Sequence, residues 1–193
     1  MPISNRVTDA ILALLSDTVS DDPISETLQT ALISPDGKDL VATDGVSLVQ
    51  VKLSEPVMTA NLGDRLDPDA ARKLIKAGKY PERKFVDLQF PEFARVIPTK
   101  IAPTKDSQDR YDANTPPCAG FDAVLLARVL SGISKVAKAA GCKQAGVMIQ
   151  YSDGFTPARI DAEVFDGTTK IEIVGVVMPM RIGQVDRADP QDP

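Results

Sequence analysis

The carboxylates best spaced for acid–base chemistry are Asp161 and Glu163, which alternate along a predicted strand and would face the same side of it. A pair of carboxylates can act as general acid and general base. However, the chain contains no histidine, which is the commonest general base and metal ligand in proteins. No metal-spaced acidic cluster, Gly-x-Ser-x-Gly motif or phosphate-binding glycine loop accompanies the two acids. We therefore expect a protein that is not an enzyme and that uses no metal and no cofactor.

The cysteines and the apolar segments indicate the cellular compartment of the protein. Cys118 and Cys142 lie far apart without a CxxC pair, which favours free thiols in a reducing environment. The apolar stretch near the N-terminus is interrupted by polar residues and is typical of a helix, not of a signal peptide. No apolar run reaches membrane-spanning length. We expect a cytoplasmic protein that has no membrane partner.

Basic residues are concentrated in two predicted helices of an acidic chain. The net charge is −5, but residues 69–79 and 122–143 carry +3 each, so the rest of the chain carries −11. Helical spacing places the basic side chains of each helix on one face, and on the second helix it places apolar side chains opposite, facing a sheet: Val124, Leu125, Val129, Ile133 and Val136. Such basic stripes could bind a phosphate backbone without reading sequence. They could equally be ordinary solvated helix faces.

The elements that must position these residues form two similar halves. The first half has a helix around Ile11–Leu15 and then a three-stranded meander over 27–53, with turns at 35–37 and 43–45. A basic helix over 66–79 and a strand over 84–90 follow. The second half has a longer helix, which ends at Gly141, and then three strands. This order predicts an α+β fold with antiparallel sheets and helices on one face, and an internal duplication.

The predicted boundaries follow the composition. Residues 1–97 form the first half, and residues 118–182 form the second. Between them, residues 98–117 are polar and rich in proline, which indicates a linker or a long surface loop. Residues 183–193 are predicted to be a disordered tail.

Three segments carry a resemblance to a known family. They are "LVATDGVSLVQV" at 40–51, "FPEFARVIP" at 90–98 and "VVMPMRI" at 176–182. Together, and in this order, they resemble the signature segments of the bacterial DNA polymerase III beta subunit, the sliding clamp. The resemblance extends over residues 25–182 and implies a DNA-clamp-like fold in a shortened form, about half the length of that family's three-domain chain.

In the clamp family these segments converge on a hydrophobic groove that captures short linear peptides. The flexible thioether of methionine suits a groove that must adapt to several ligands. The resemblance implies a groove formed by Leu28, Thr43, Gly45, Leu48, Pro91, Arg95, Val96, Val176, Met178, Pro179, Met180 and Arg181. Val46 and Ser47 stand where the family has His-Arg, which alters the polar rim. Alternatively, Met178 and Met180 are ordinary core residues of a terminal strand.

The basic helices match the DNA-facing inner surface of the family. The corresponding side chains in this sequence are Arg72, Lys76, Lys79, Arg128, Lys135 and Lys138. The resemblance therefore implies a sliding-clamp-like processivity factor that contacts double-stranded DNA non-specifically. It would tether DNA polymerase and clamp-loader-type proteins through short linear peptides, as a homo-oligomer joined head to tail. The alternative is a clamp-like module that does not encircle DNA and regulates replication by competing for clamp-binding peptides.

Overall fold

The computed structural model describes residues 3–22, 25–34, 36–55, 65–76, 92–98, 120–151 and 156–180. The predicted strand over 84–90, most of the predicted linker and the predicted tail lie outside these residues. The described helices are α1 (Asn5–Ser16), α2 (Pro68–Lys76) and α3 (Ala123–Ala139), with short 3-10 helices at Glu26–Gln29 and Phe93–Arg95. The described strands are β1 (Ala31–Ile33), β2 (Asp39–Thr43), β3 (Ser47–Leu53), β4 (Arg65–Leu66), β5 (Gly120–Phe121), β6 (Met148–Gln150), β7 (Ala158–Asp166), β8 (Thr169–Val177) and β9 (Pro179–Met180).

Seven strands form one antiparallel sheet in the order β4-β1-β2-β3-β8-β7-β6. Its central pair is β3 and β8, in which Ser47 lies opposite Val177 and Leu53 lies opposite Ile171. Strands β5 and β9 form a separate two-stranded sheet. The predicted α+β fold with antiparallel strands is confirmed.

The order of elements repeats across the central strand pair. Helix α1 precedes β1, β2 and β3, and helix α3 precedes β6, β7 and β8. In the sheet the two triplets run in opposite order, so that β3 and β8 meet in the middle and β1 and β6 lie towards the two ends. The two helices also pack against each other. Each repeat therefore supplies one helix and three strands to the structure, and α2 and β4 are additional to this pattern.

The main core lies between the helices and one face of the sheet, which we call the inner face. Strand alternation directs Ile33, Val49 and Ile173 to this face, where they are fully buried with side chains of α1 and α3. Helix α1 lies between α2 and α3. Within the described residues, no helix is long and apolar enough to cross a membrane.

Helix α3 approaches β8 closely. A Cβ atom added to Gly175 would lie 2.6 Å from Val129 Cγ1, so glycine is required at that point of the strand. Val129, Ile133 and Val136 are buried as predicted, but Val124 is 70% exposed. The prediction that Val124 faces the sheet is wrong, because Val124 lies in the first turn of the helix, two residues after the N-cap Asp122, where the helix extends beyond the core.

Candidate functional site

The opposite, outer face of the sheet carries a second and smaller apolar cluster. Val41, Leu48 and Val176 are buried there, with the half-buried Leu32 beside them. Leu48 lies directly opposite Val176 in the central strand pair. The cluster is covered from outside by two side chains of the 92–98 segment, Phe93 and Ile97. It therefore brings together the first, second and third of the segments that resemble the clamp family.

The hairpin between β2 and β3 forms one wall of this cluster. Gly45 has φ +91°, a left-handed conformation that glycine adopts without strain. The Thr43 hydroxyl donates to the Ser47 carbonyl at 2.7 Å and accepts from the Gly45 N–H at 3.1 Å. A Cβ atom at Gly45 would lie 3.8 Å from Leu28 Cδ1, so Leu28 stands beside the turn. Thr43 thus fixes the hairpin and is not itself an exposed recognition group.

The terminal strand approaches the same hairpin from the second half. The Met178 N–H donates to the Val46 carbonyl at 3.0 Å. Pro179 and Met180 form β9, which pairs with β5 so that Gly120 lies opposite Met180 and Phe121 lies opposite Pro179. Met178 is 40% exposed and Met180 is 49% exposed. The two methionines are therefore surface residues, and the alternative that they are ordinary core residues is wrong.

Arg159, which was not among the predicted site residues, holds the 92–98 segment against the sheet. It lies opposite Val176, and its Nη1 donates to the Pro98 carbonyl at 2.9 Å. Its Nε and Nη2 contact the Asp161 carboxylate at 2.9 Å. The hydrogen bonds that Arg159 donates to the Asp161 carboxylate raise the pKa of the Arg159 guanidinium. The partner carbonyl is 61 residues away in the chain, so no local pattern could reveal this contact.

The remaining predicted groove residues have different positions. Arg95 is exposed and pairs with Glu92, whose Oε2 lies 2.6 Å from Arg95 Nε. Val96 is an exposed apolar residue next to the cover formed by Phe93 and Ile97. Pro91 and Arg181 lie outside the described residues.

Acidic side chains accompany the basic residues of the helix layer. Among the described residues, three ion pairs join these basic residues to other parts of the chain: Arg72 Nε to Asp9 Oδ1 at 3.2 Å, Arg128 Nη1 to Asp44 Oδ2 at 2.8 Å, and Lys135 Nζ to Asp17 Oδ2 at 3.2 Å. A longer pair lies within α2, where Arg72 Nη1 is 3.8 Å from Asp69 Oδ1. The sequence places almost no acids inside the basic segments, but α1, which lies between them, brings Asp9 and its C-cap residue Asp17 against their basic side chains.

The other predicted DNA-facing residues are less constrained. Lys138 is exposed and forms no ion pair within the described part of the chain. Lys76 ends α2, but its side chain is not described, and Lys79 lies outside the described residues. Of the six basic residues, Lys138 is thus the described side chain most open to a phosphate.

A cleft of about 380 Å³ lies among the three helices. It is lined by Ser16, Asp17, Val19, Asp21, Asp69 and Arg128. Ser16 Oγ donates to Asp69 Oδ1 at 2.8 Å, which holds the end of α1 to the start of α2. Three aspartates against one arginine make the cleft acidic, so the helix face carries charges of both signs.

The paired carboxylates considered for catalysis are both engaged in ion pairs. Asp161 is held by Arg159, and Glu163 Oε1 lies 2.8 Å from Lys170 Nζ. Lys170 also contacts Glu172 at 2.8 Å, and these hydrogen bonds raise the pKa of Lys170 and lower the pKa of Glu172. Among the described residues, no group of three or more acidic, histidine or cysteine side chains could hold a metal ion.

The sheet, its helix layer and the outer-face cluster define a protein with the fold of bacterial DNA polymerase sliding clamps. Three solved structures illustrate the likeness. The sliding clamp of Caulobacter crescentus is 16% identical with a TM-score of 0.61, over 91% of this chain and 64% of that one. The Pseudomonas aeruginosa sliding clamp with ligand is 18% identical with a TM-score of 0.62, over 93% of this chain and 65% of that one. The DNA polymerase III beta subunit of Thermotoga maritima is 13% identical with a TM-score of 0.62, over 94% and 65%.

These identities are low, and the similarity is one of fold. The chain spans less than two thirds of the length of these clamps. No protein-family model matches the sequence, and no curated protein matches it.

Proposed function

We propose that this protein is a clamp-like accessory factor of DNA replication that captures short linear peptides in the outer-face groove. The observation that carries the proposal is the convergence of three separate segments on one apolar cluster. The hairpin supplies Leu48, β8 supplies Val176, and the 92–98 segment supplies the cover. Met178 follows β8 and is tied to the same hairpin by its hydrogen bond to Val46. Exposed methionines beside a buried apolar floor offer both adaptable contact and desolvation to an apolar peptide side chain.

The proposed function includes tethering on double-stranded DNA, without sequence recognition. Peptides of DNA polymerase and of clamp-loader-type proteins are the proposed occupants of the groove. Capture of a polymerase close to its template raises its effective concentration there and so its processivity. The helix layer is the proposed DNA-facing side, with the exposed Lys138 as its leading described contact. A homo-oligomer with a closed head-to-tail interface is the proposed assembly.

The peptide groove is tested with exposed residues, because their replacement does not disturb the core. The probe is the tightest-binding member of a random short-peptide library selected on the wild-type protein, labelled with fluorescein. Replacing Met178 and Met180 by alanine should weaken its binding by about tenfold or more, as loss of buried contact area does at a binding hot spot. Met148→Ala is the matched control, because Met148 is also exposed but lies on the edge strand β6. Equal binding by all variants would place the peptide elsewhere and contradict the groove.

A second function has support from the helix layer. The three ion pairs and the acidic cleft favour a clamp-like module that binds peptides but not DNA, and that regulates replication by competing for them. Titration of a labelled duplex at several salt concentrations distinguishes the two. A tether binds the duplex with an affinity that falls steeply with salt, whereas the competitor shows no such binding. Solution mass by light scattering adds a second distinction, since a closed oligomer supports the tether and a monomer supports the competitor.

A further inference from the structure

Asp44 links the helix layer to the wall of the groove. Its Oδ1 accepts from the Val46 N–H at 3.0 Å, from the Ser47 N–H at 2.6 Å and from the Ser47 hydroxyl at 3.0 Å. Its Oδ2 accepts from Arg128 Nη1 at 2.8 Å. The Asp44 side chain is only 12% exposed. One carboxylate thus shapes the hairpin with one oxygen and holds α3 with the other.

The hairpin transmits this contact to the terminal strand. The carbonyl of Val46, whose N–H is held by Asp44, accepts the Met178 N–H at 3.0 Å. A continuous path of hydrogen bonds therefore runs from Arg128 through Asp44 and Val46 to Met178. Its two ends lie 50 residues apart in the sequence numbering, on α3 and just after β8.

The carboxylate cannot easily lose its arginine. An unpaired charge in a mostly buried position is costly, and removal of one partner from such a pair is strongly destabilising. A DNA phosphate that recruited Arg128 would leave Asp44 with only the hairpin donors. Arg128 therefore has a structural partner that Lys138, ten residues later on the same helix, does not have among the described residues.

We propose that Arg128 is a positioning residue of the peptide-binding groove and not a DNA contact. Arg128 acts on the groove through Asp44. The inference rests on the proposed peptide-binding function for its consequence, but the positioning itself can be measured without any peptide. Two basic residues of α3 then have different roles: Arg128 orders the groove wall, and Lys138 near the end of the helix remains available to DNA.

The test compares Arg128→Met and Asp44→Asn with Lys138→Met in the full chain. Arg128→Met keeps the aliphatic stem and removes the charge, and Asp44→Asn keeps an acceptor for the hairpin but weakens the contact with Arg128. The first readout is hydrogen exchange of the Val46 and Ser47 amides. We expect both Arg128→Met and Asp44→Asn to speed exchange at these amides by about tenfold, the factor that corresponds to loss of a charge-assisted hydrogen bond. Lys138→Met should leave them unchanged.

The second readout distinguishes an effect on peptide binding from an effect on DNA binding. Arg128→Met should lower the affinity for the library-selected peptide by about fivefold to tenfold, because the groove wall is correctly formed in a smaller fraction of molecules. It should not change the salt dependence of duplex binding, whereas Lys138→Met should reduce that slope by about 0.9, the value for one phosphate contact. Unchanged amide exchange in Arg128→Met, with a reduced salt slope, would overturn the assignment. If no peptide binds the wild-type protein, the proposed function fails, and the amide exchange still decides the role of Arg128.

Discussion

The clearest test of how the proposed groove is built is removal of the Arg159 guanidinium, which holds the 92–98 segment over the outer-face cluster. In Arg159→Met, the Pro98 carbonyl loses the Nη1 donor that lies 2.9 Å away. A hydrogen bond from a charged donor contributes about 1.5–3 kcal/mol. The Arg159 side chain is 27% exposed, so solvent screens it only in part and the lower end of that range applies. The population of the undocked 92–98 segment should therefore rise by about tenfold.

The effect should be local, because the contact holds one short segment. The Val96 N–H, which donates to the Phe93 carbonyl at 3.0 Å, reports whether the 3-10 turn is formed. We expect its hydrogen exchange to speed up by about tenfold in Arg159→Met, with a loss of peptide affinity of up to the same factor. Exchange is measured by NMR, and global stability by urea unfolding of the same samples.

A control variant separates the hydrogen bond from the ion pair. Asp161→Asn removes the carboxylate beside Arg159 but leaves Nη1 free to donate to Pro98. It should therefore keep the Val96 amide protected and the peptide affinity close to that of the wild-type protein. If Arg159→Met also left the Val96 amide fully protected, the segment would be held by Phe93 and Ile97 alone, and the reasoning would be refuted.

Two further predictions concern stability. Gly175→Ala should lower the free energy of unfolding by about 1–2 kcal/mol in urea titrations. Overpacking against the stiff Val129 side chain outweighs the stabilisation that alanine gives by reducing the entropy of the unfolded chain. Gly146→Ala is the control and should be neutral, because its Cβ would meet no atom within 4 Å. Lys170→Met should destabilise the sheet near neutral pH, because hydrogen bonds to Glu163 and Glu172 raise the pKa of Lys170, and the bond from Lys170 lowers the pKa of Glu172. By linkage, this contribution is present between the ordinary pKa values of the two groups, and it is lost as pH falls through the lowered value or rises through the raised one. Melting temperatures of both proteins should therefore converge in acid, and a constant difference down to low pH would contradict the ion-pair explanation.

The sequence predicted the elements well where a local pattern determines them. Burial alternates along β7 and the first residues of β8, and glycine turns bound the strands, so local patterns could indicate them; period-two burial and turn chemistry are properties of neighbouring residues. From Ile173 to Val177 every residue of β8 is buried, and alternation does not describe that part. The convergence of Leu48 with Val176 was predicted through the resemblance to the clamp family. It could not follow from periodicity, which says which face of a strand is apolar but not which strand lies beside it.

Local sequence patterns could not predict the ion pairs of the helix layer. Lys135 and Asp17 are 118 residues apart, and Arg72 and Asp9 are 63 apart. A helical wheel orders the side chains of one helix but carries no information about the neighbour that packs against it. Helix α1 lies between α2 and α3 and therefore places its acids against their bases, which changes the electrostatics of the whole face.

The position of the proposed groove follows from the way in which the two halves are joined. Within the described residues they share one strand pair, β3 with β8, and one helix pair, α1 with α3. The hairpin that precedes β3 and the segment that follows β8 meet at the same end of this central pair, through the contact between Val46 and Met178. A peptide seated there would touch both halves at once and would be sensitive to their relative position. Because Arg128 reaches that junction from α3, a rearrangement of the helix layer would alter the groove even without a direct contact with the peptide.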